Sequence, residues 1–207
     1  MGSITMATRN SALTSWTKRT NMFVKPSSDG WAINGTDFYT VSNGILRGDS
    51  ITPGGGNTGY YSISSNLKKA IGWTCEWRMR VISVLGSASA NTLIFQITDD
   101  STYNNIRFEN GKVNWEQPNT NYTFDTTDAF HIYKLERAAG ANLITLYVDG
   151  TSRLTHSDAG TGQTSEIDMF HDADGANGFK ADLDYFHYKN TGNYPNAPFT
   201  MGRRAVT

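Results

Sequence analysis

The chain has 207 residues, of which 18% are charged, and a formal net charge of -1. This is the size of one domain, and the balanced charge gives no basic surface for nucleic acid or for an anionic membrane, so we expect neither as a partner. The single cysteine, Cys75, excludes an internal disulfide bond and a cluster of thiolate metal ligands.

The composition favours an all-β domain. Glycine contributes 20 residues and aromatic side chains 12%, whereas runs of Ala, Leu, Glu and Lys are missing. The sequence has no stretch of 18 apolar residues and no signal-peptide pattern at its start, so we expect no membrane insertion and no cleaved leader. The location stays open, with a virion or an extracellular surface as the candidates.

Residues 1–20 are polar, lack a periodic apolar pattern and are interpreted as an N-terminal arm. A folded body is predicted over residues 21–193, in which residues 21–59 form an N-terminal hairpin and a glycine-rich loop. The loop is assigned to Pro53–Gly59 because its glycines carry large conformational entropy. Residues 194–207 are predicted to be a C-terminal tail.

After the glycine-rich loop, apolar and polar side chains alternate with period two, which is typical of strands with one buried face. The clearest strand spans residues 73–81, and a second covers 93–97. We predict that their apolar set points into the core: Trp73, Cys75, Trp77, Met79, Val81, Leu93, Phe95 and Ile97. The polar set of the first strand, with Glu76, Arg78 and Arg80, is predicted to face outward.

Turn signals separate about ten short strands. The dipeptide Asn110-Gly111 between alternating apolar residues predicts a hairpin with a type I′ turn. Further strands are predicted at residues 130–137, 142–148, 167–170 and 183–188. Many short strands without a helical stripe favour a two-sheet antiparallel β-sandwich of the jelly-roll type, with a closed barrel as the alternative.

Three segments carry a recognisable pattern: FHIYKLER at 130–137, LITLYVDG at 143–150 and ADLDYFHY at 181–188. They resemble strands of the concanavalin A-like lectin/glucanase superfamily, in particular its laminin-G-like members. The resemblance covers about residues 60–190 and implies a lectin-like jelly roll for the folded body. It leaves the function open, because the superfamily includes lectins, glycosidases, polysaccharide lyases and viral structural proteins.

The segment Glu166-Ile-Asp-Met-Phe-His171 resembles the Glu-Ile-Asp-x-(x)-Glu strand of laminarinase-like and lichenase-like glycosidases. In those enzymes the two glutamates serve as nucleophile and acid/base, because a retaining mechanism needs two carboxyl groups about 5 to 5.5 Å apart. Glu166 and Asp168 match, but His171 replaces the second glutamate, and the Leu-Tyr-Val-Asp-Gly hairpin precedes this strand instead of following it. We therefore expect no glycosidase activity and a strand with Glu166 and Asp168 facing outward.

A polysaccharide lyase is the second enzymatic hypothesis. Side chains of the types that an alginate-lyase-like elimination uses are Arg78, Arg80, Gln96, Arg107, His131 and Tyr133. The motifs of that family are not reproduced, and Thr98 stands at the histidine position of its Gln-x-His strand. We expect these polar positions to form the solvated face of an antiparallel sheet.

Aromatic and polar side chains near loops are the candidates for glycan contact, since a sugar ring stacks on an aromatic plane and its hydroxyls need polar partners. The candidate glycan-binding residues are Trp115, Tyr103, Tyr122, Arg78, Arg80, Gln96 and Arg107.

The turn after residue 170 offers oxygen ligands for a structural calcium ion at Asp172, Asp174 and Asn177. The spacing of an EF-hand fails, because Ala176 occupies the fifth position of the loop and no glutamate closes it. The alternative is a turn in which Asp and Asn side chains bond their own backbone. We predict no other cofactor.

We expect a non-catalytic, lectin-like binding or structural protein, such as a decoration or adhesion subunit of a virion or another assembly. The alternative is a glycan-cleaving enzyme, a lyase or a hydrolase, that acts on the concave sheet face. The arms are too poor in apolar residues to form a core, so other protein subunits are the expected partners, most simply in a homo-oligomer. The predicted arm contacts are Leu13, Trp16, Phe199, Arg203 and Arg204.

Overall fold

The described part of the chain contains fifteen strands and one short 3-10 turn. The computed structural model describes residues 16–51, 58–85, 93–117, 119–158, 160–172 and 177–191, with the backbone alone described for Asp172. The first strands are β1 (Lys18–Asn21), β2 (Ala32–Gly35), β3 (Tyr39–Ser42), β4 (Ile45–Asp49) and β5 (Gly59–Ser64). The central strands are β6 (Trp73–Val84), β7 (Ile94–Thr98), β8 (Tyr103–Glu109), β9 (Lys112–Trp115) and β10 (Thr120–Thr123). The last strands are β11 (His131–Arg137), β12 (Leu143–Val148), β13 (Thr151–Ser157), β14 (Glu166–Asp172) and β15 (Phe179–Lys189), and the 3-10 turn spans Pro26–Asp29.

The strands form two antiparallel sheets that pack face to face. The eight-stranded sheet has the order β13-β12-β11-β6-β15-β4-β3, and β1 pairs with β15 beside β4. The seven-stranded sheet has the order β10-β9-β8-β7-β14-β5-β2. Neighbours in space are often far apart in the sequence, as in a jelly roll. The predicted all-β, two-sheet antiparallel sandwich of the jelly-roll type is therefore confirmed.

The predicted inward face of β6 and β7 is confirmed. All eight apolar side chains assigned to it are fully buried, whereas Glu76, Arg78 and Arg80 lie on the outer face of the eight-stranded sheet. The two sheets meet through aromatic rings, since Trp77 of β6 stacks on Phe95 of β7 with ring centroids 5.0 Å apart. The register from the sequence was correct because a one-residue slip would have exposed the whole apolar set.

The predicted β8–β9 hairpin is confirmed, but its turn differs from the type expected. Gly111 has a φ of 86°, whereas Asn110 does not adopt a positive φ, so the turn is not type I′. Two other Asx-Gly pairs do place both central residues at positive φ, namely Asn43-Gly44 between β3 and β4 and Asp149-Gly150 between β12 and β13. The predicted β11–β12 hairpin is also present.

The N-terminal part of the chain is built into both sheets. β1 pairs with β15, so residues 18–20, which the sequence analysis placed in the arm, belong to the sandwich. The predicted N-terminal hairpin corresponds to β3 and β4 in the eight-stranded sheet, while β2 pairs with β5 in the other. Most of the glycine-rich loop and residues 192–207 lie outside the described residues. Within the described ranges, no helix is long and apolar enough to cross a bilayer.

Candidate functional site

A row of polar side chains crosses the outer face of the seven-stranded sheet. Alternation along β14 buries Ile167 in the core and turns Asp168 outward. In the register of the sheet, Asp168 lies opposite Ser62 of β5 and Gln96 of β7, and Gln96 lies opposite Asn105 of β8. We call Ser62, Asp168, Gln96 and Asn105 the polar row. Glu166 stands on the same face two residues before Asp168.

A bulge in β14 brings His171 to this face as well. The register of β14 shifts between Asp168 and His171, and Phe170 adopts a φ of 56° with its side chain fully buried. The extra inward residue changes the parity of the strand, so His171 points outward like Asp168. Its ring lies 4.4 Å from the ring of Tyr60, measured between centroids.

Glu116 closes one side of the polar row. It accepts hydrogen bonds from Asn105 Nδ2 at 2.9 Å and from Arg107 Nη1 at 3.0 Å. The buried guanidinium of Arg107 also lies 3.4 Å from Glu109 Oε1. Two carboxylates therefore neutralise Arg107, so its charge is not available to attract an anionic ligand.

The pKa values of three groups around the polar row, Asp168, His171 and Tyr60, are shifted in the direction that favours their uncharged forms. Burial, and next the nearby charge of Glu166, raise the pKa of Asp168 to about 7. Burial also lowers the pKa of His171 and, together with the charges of Asp168 and Glu166, raises the pKa of Tyr60. At neutral pH these shifts favour the uncharged forms of Tyr60 and His171 and leave Asp168 partly protonated, beside the ion pair of Arg107 with Glu116.

Several buried polar atoms on this face make no hydrogen bond with a described residue. They are Asp168 Oδ1, His171 Nδ1, Thr98 Oγ1, Asn105 Oδ1 and Asn114 Oδ1. A buried polar atom without a partner costs about 1 to 3 kcal/mol, so a ligand that supplied these partners would recover part of that cost.

The predicted glycan-binding residues divide between the two sheets. Gln96 and Arg107 lie on the outer face of the seven-stranded sheet, and so does Tyr103, whose hydroxyl accepts a hydrogen bond from Gln117 at 2.5 Å. Trp115 is fully buried between the sheets, so its assignment to sugar stacking is corrected. Tyr122 is half-buried at the edge, under the guanidinium of Arg153.

Arg78 and Arg80 lie on the opposite side of the molecule, on the outer face of the eight-stranded sheet. They form ion pairs with Asp184 at 2.6 Å and with Asp182 at 3.1 Å. Both guanidinium groups also lie over the ring of Phe130, 4.6 and 5.3 Å from its centroid. These two arginines are therefore not part of the surface that contains Gln96.

The residue set of the lyase hypothesis does not assemble on one face. Tyr133 is fully buried in the core, and His131 is held between Asp128 and Asp149, at 2.8 and 2.7 Å. Both belong to β11 of the eight-stranded sheet, whereas Gln96 belongs to the other sheet. A single site with this chemistry is therefore not formed.

Two residues of the polar row, Ser62 and Asn105, and the adjoining Glu116 were not predicted from the sequence. Asn105 lies two residues before Arg107 on β8 and therefore shares its face. Glu166, Asp168 and His171 were noted for a different reason, their likeness to a glycosidase strand. No sequence pattern indicated that β14 lies between β5 and β7, which is what places these side chains together.

The metal and arm predictions fall largely outside the described residues. Asp174 is not described, nor is the side chain of Asp172, and within the described part of the chain no three His, Cys, Asp or Glu side chains could hold a metal ion. Asn177 is among the described residues. The arm residues Leu13, Phe199, Arg203 and Arg204 also lie outside the described ranges, while Trp16 has its ring 5.6 Å from that of His187.

Comparison with known proteins gives structural likeness alone. No protein-family model matches the sequence, and no curated protein does. The structure is similar to the binding domain of botulinum neurotoxin serotype D, with a TM-score of 0.57, 12% identity, and coverage of 80% of this chain and 44% of that one. The binding domain of Paraclostridial Mosquitocidal Protein 1 gives a TM-score of 0.56 and 12% identity over 81% of this chain and 46% of that one.

A glucanase is similar over nearly its full length. The Bacillus licheniformis β-glucanase has a TM-score of 0.58 and 14% identity, and the match covers 83% of this chain and 97% of the glucanase. By contrast, this chain spans less than half of the toxin binding domains. At these identities the likeness shows the fold alone, a two-sheet antiparallel sandwich of the jelly-roll type.

Proposed function

We propose that this protein is a non-catalytic, lectin-like module that binds a glycan on the outer face of the seven-stranded sheet. The observation that carries the proposal is the polar row, Ser62-Asp168-Gln96-Asn105, together with the buried polar atoms on the same face that make no hydrogen bond with a described residue. A decoration or adhesion subunit of a virion or another assembly is the setting we propose for such a module.

The chemistry of the face suits a sugar. Each hydroxyl of a sugar can donate one hydrogen bond and accept others, which matches a surface of amides, a hydroxyl and a partly protonated carboxyl group. Tyr60 and Tyr103 flank the polar row, and the ring of Tyr103 is exposed. Aromatic rings of this kind can stack on the apolar side of a pyranose. The same site therefore offers directional bonds and a stacking surface.

The structural neighbours support a carbohydrate ligand. One of them is a botulinum neurotoxin type C whose cell entry depends on interaction with two ganglioside molecules, and another is a glucanase. The match to the type C toxin has a TM-score of 0.56 and 10% identity and covers 44% of its chain. These are properties of the neighbours, and they favour the ligand class without assigning a residue.

We propose binding without cleavage because of the position of Asp168. A general acid must come within about 2.6 to 3.2 Å of the atom that it protonates. Asp168 is 4% exposed and its Oδ1 is buried, so only a small part of its carboxyl group faces a glycosidic oxygen lying on the face. His171 is the third outward residue of β14, after Glu166 and Asp168. The glycosidases whose strand this segment resembles carry their second glutamate at that position.

One observation favours hydrolysis as a second candidate function. A carboxyl group with a pKa of about 7 beside another carboxylate is a common arrangement for an acid and a nucleophile. Asp168 and Glu166 have this relationship on one face of β14. Hydrolysis would require Asp168 to become accessible when a glycan binds.

A glycan array with a reducing-end assay on the same sugars separates the two functions. We expect at least one glycan to be retained by the wild type, lost by Gln96→Ala and kept by the control Thr145→Ala, which changes an outward residue on β12 of the other sheet. No reducing ends should appear. Retention that survives Gln96→Ala would contradict the proposed face, and reducing ends that vanish in Glu166→Gln would favour hydrolysis.

Assembly through the terminal arms remains part of the proposal. The two ends of the described sandwich lie side by side, because the Thr17 N–H donates to the carbonyl of Tyr188 at 3.0 Å and the Asn190 N–H donates to Thr17 Oγ1 at 3.1 Å. Both arms therefore leave the sandwich from one place, where they could contact a neighbouring subunit together. Light scattering should give a homo-oligomer for the full chain and a smaller species after deletion of residues 1–15. A monomeric full chain would contradict this.

A further inference from the structure

A groove of about 290 Å³ lies on the outer face of the eight-stranded sheet, opposite the polar row. Its lining residues are Thr40, Ser42, Asn43, Ile45, Arg47 and Asp182. The β3–β4 hairpin supplies most of them, because Thr40 pairs with Arg47 and Ser42 pairs with Ile45 on the outward side of the two strands. The groove is near the lower end of the volumes of small-molecule sites, about 300 to 1,000 Å³, and is large enough for one or two sugar units.

Two arginines share one carboxylate in the wall of the groove. Arg47 donates to Asp182 through Nε at 2.7 Å and Nη2 at 2.9 Å, and Arg80 donates through Nη2 at 3.1 Å. The side chain of Asp182 is 5% exposed. Because one negative charge faces two positive ones, this triad keeps an excess of one positive charge.

The nearby charges do not cancel this excess. Lys180 pairs with Asp49 at 2.7 Å, and Arg78 pairs with Asp184 at 2.6 Å. The charge of Asp49 also acts on Arg47, but Lys180 matches it, so among the described residues around the groove the excess of one positive charge remains. The wall of the groove therefore attracts an anion.

Arg47, which already bonds the carboxylate of Asp182, can bind a second oxyanion. Its side chain is 43% exposed, and its Nη1 makes no hydrogen bond with a described residue. Because Asp182 already fixes the guanidinium plane, little additional side-chain freedom is lost when a ligand binds. An Arg–carboxylate pair is also stronger and more directional than a neutral hydrogen bond.

The remaining walls suit a sugar ring. The hydroxyls of Thr40 and Ser42 and the amide of Asn43 line the groove beside Arg47. The groove thus combines a cation with neutral hydrogen-bonding groups.

We propose that this groove binds a hexuronate unit of an acidic glycan, with the carboxylate on Arg47 and the ring hydroxyls on Thr40 and Ser42. This second site goes beyond the proposed function, since it lies on the other sheet and selects a charged sugar. The two sites would let one module contact two parts of a glycan, or two glycans, at once.

The test is a heteronuclear NMR titration of the full chain with glucuronate, glucose and acetate. Glucuronate should shift the amide signals of Thr40, Ser42 and Arg47 more strongly than either of the other two probes. Arg47→Ala should weaken glucuronate binding about tenfold or more, as expected for loss of a charge-assisted pair. The control, Lys18→Ala, removes a cation outside the groove that has its own partner in Asp29 and should change the affinity less than about twofold.

Four results would overturn the inference. They are unchanged affinity in Arg47→Ala, equal binding of glucose, equal binding of acetate, and shifts confined to the seven-stranded sheet. If Arg47→Ala does not fold, Thr40→Val with Ser42→Ala takes its place and must weaken glucuronate binding. Gln96→Ala separates this site from the proposed function, because glucuronate binding in the groove should survive that change.

Discussion

Arg137 and Asp99 form an ion pair in the interior, with Arg137 Nη1 2.6 Å from Asp99 Oδ2 and both side chains fully buried. Arg137 ends β11 of the eight-stranded sheet, and Asp99 directly follows β7 of the other sheet. Burial alone would raise the pKa of Asp99, but hydrogen bonds from Trp73, Ser101 and Thr102 hold it below its usual value. The pair and its hydrogen bonds therefore tie the two sheets together through charged groups.

Replacement of Arg137 by methionine should lower the free energy of unfolding by about 3 to 5 kcal/mol, because it leaves the carboxylate of Asp99 buried without its cation. Urea unfolding at pH 7 measures the loss. The control is Lys25→Ala, which removes an exposed pair with Asp37 and should cost no more than about 1 kcal/mol. Equal losses in the two variants would show that the buried pair has no special role.

Most of the fold could be predicted from the sequence, but the buried ion pair could not. Period-two alternation marked the inward face of β6, and Asn110-Gly111 marked the β8–β9 hairpin. Arg137 shares the inward parity of Tyr133 and Leu135 in β11, but no local pattern identifies its partner, which is 38 residues away, directly after β7 of the other sheet. A charged residue in an alternating strand is normally assigned to the outer face.

Part of the candidate site could be predicted from the sequence. The spacing of Glu166 and Asp168 placed them on one outward face, but strand order decides which other residues join them. Arg78 and Gln96 were grouped because both are polar and outward, and they lie on opposite sides of the sandwich. Trp115 follows a hairpin turn, which suggested exposure, yet its position in β9 points it into the core.

Asp168→Asn should stabilise the protein at pH 8 and leave it nearly unchanged at pH 4. The folded-state pKa of Asp168 is raised to about 7, above the unfolded value of about 3.9, so the wild type loses stability as the pH rises between these values. The amide cannot ionise and avoids that loss. Thermal unfolding of both proteins from pH 4 to 8 checks this, with Asp37→Asn as an exposed control. Parallel profiles for Asp168→Asn and the wild type would contradict the assignment.

His131→Gln should remove a second contribution to the pH dependence of the free energy of unfolding. Burial lowers the pKa of His131, but hydrogen bonds and charges from Asp149 and Asp128 raise it overall. A raised folded-state pKa contributes stability that is complete below the unfolded value of about 6.5 and is lost as the pH rises through the folded value. The variant should therefore be destabilised more at pH 5.5 than at pH 8.5, and His156→Gln serves as the control. Equal destabilisation at both pH values would rule out this linkage.

Two glycines with similar backbone angles should respond differently to alanine. Gly72 has a φ of 73° and a Cβ there would lie 2.7 Å from backbone atoms of Arg137 and Ala139, whereas Gly140 has a φ of 70° and open space around it. We expect Gly140→Ala to cost about 1 kcal/mol from backbone strain, and Gly72→Ala to cost about 1 to 3 kcal/mol more from the steric clash. Urea unfolding of both variants compares them directly, and equal costs would argue against the close approach at Gly72.

The central claim, glycan binding on the outer face of the seven-stranded sheet, is tested most directly by NMR titration with a neutral glycan retained on the array. The account predicts saturable shifts at the amides of Ser62, Gln96, Asn105 and Asp168, which disappear in Gln96→Ala and persist in Thr145→Ala. Shifts confined to other surfaces, or a titration that Gln96→Ala leaves unchanged, would contradict it.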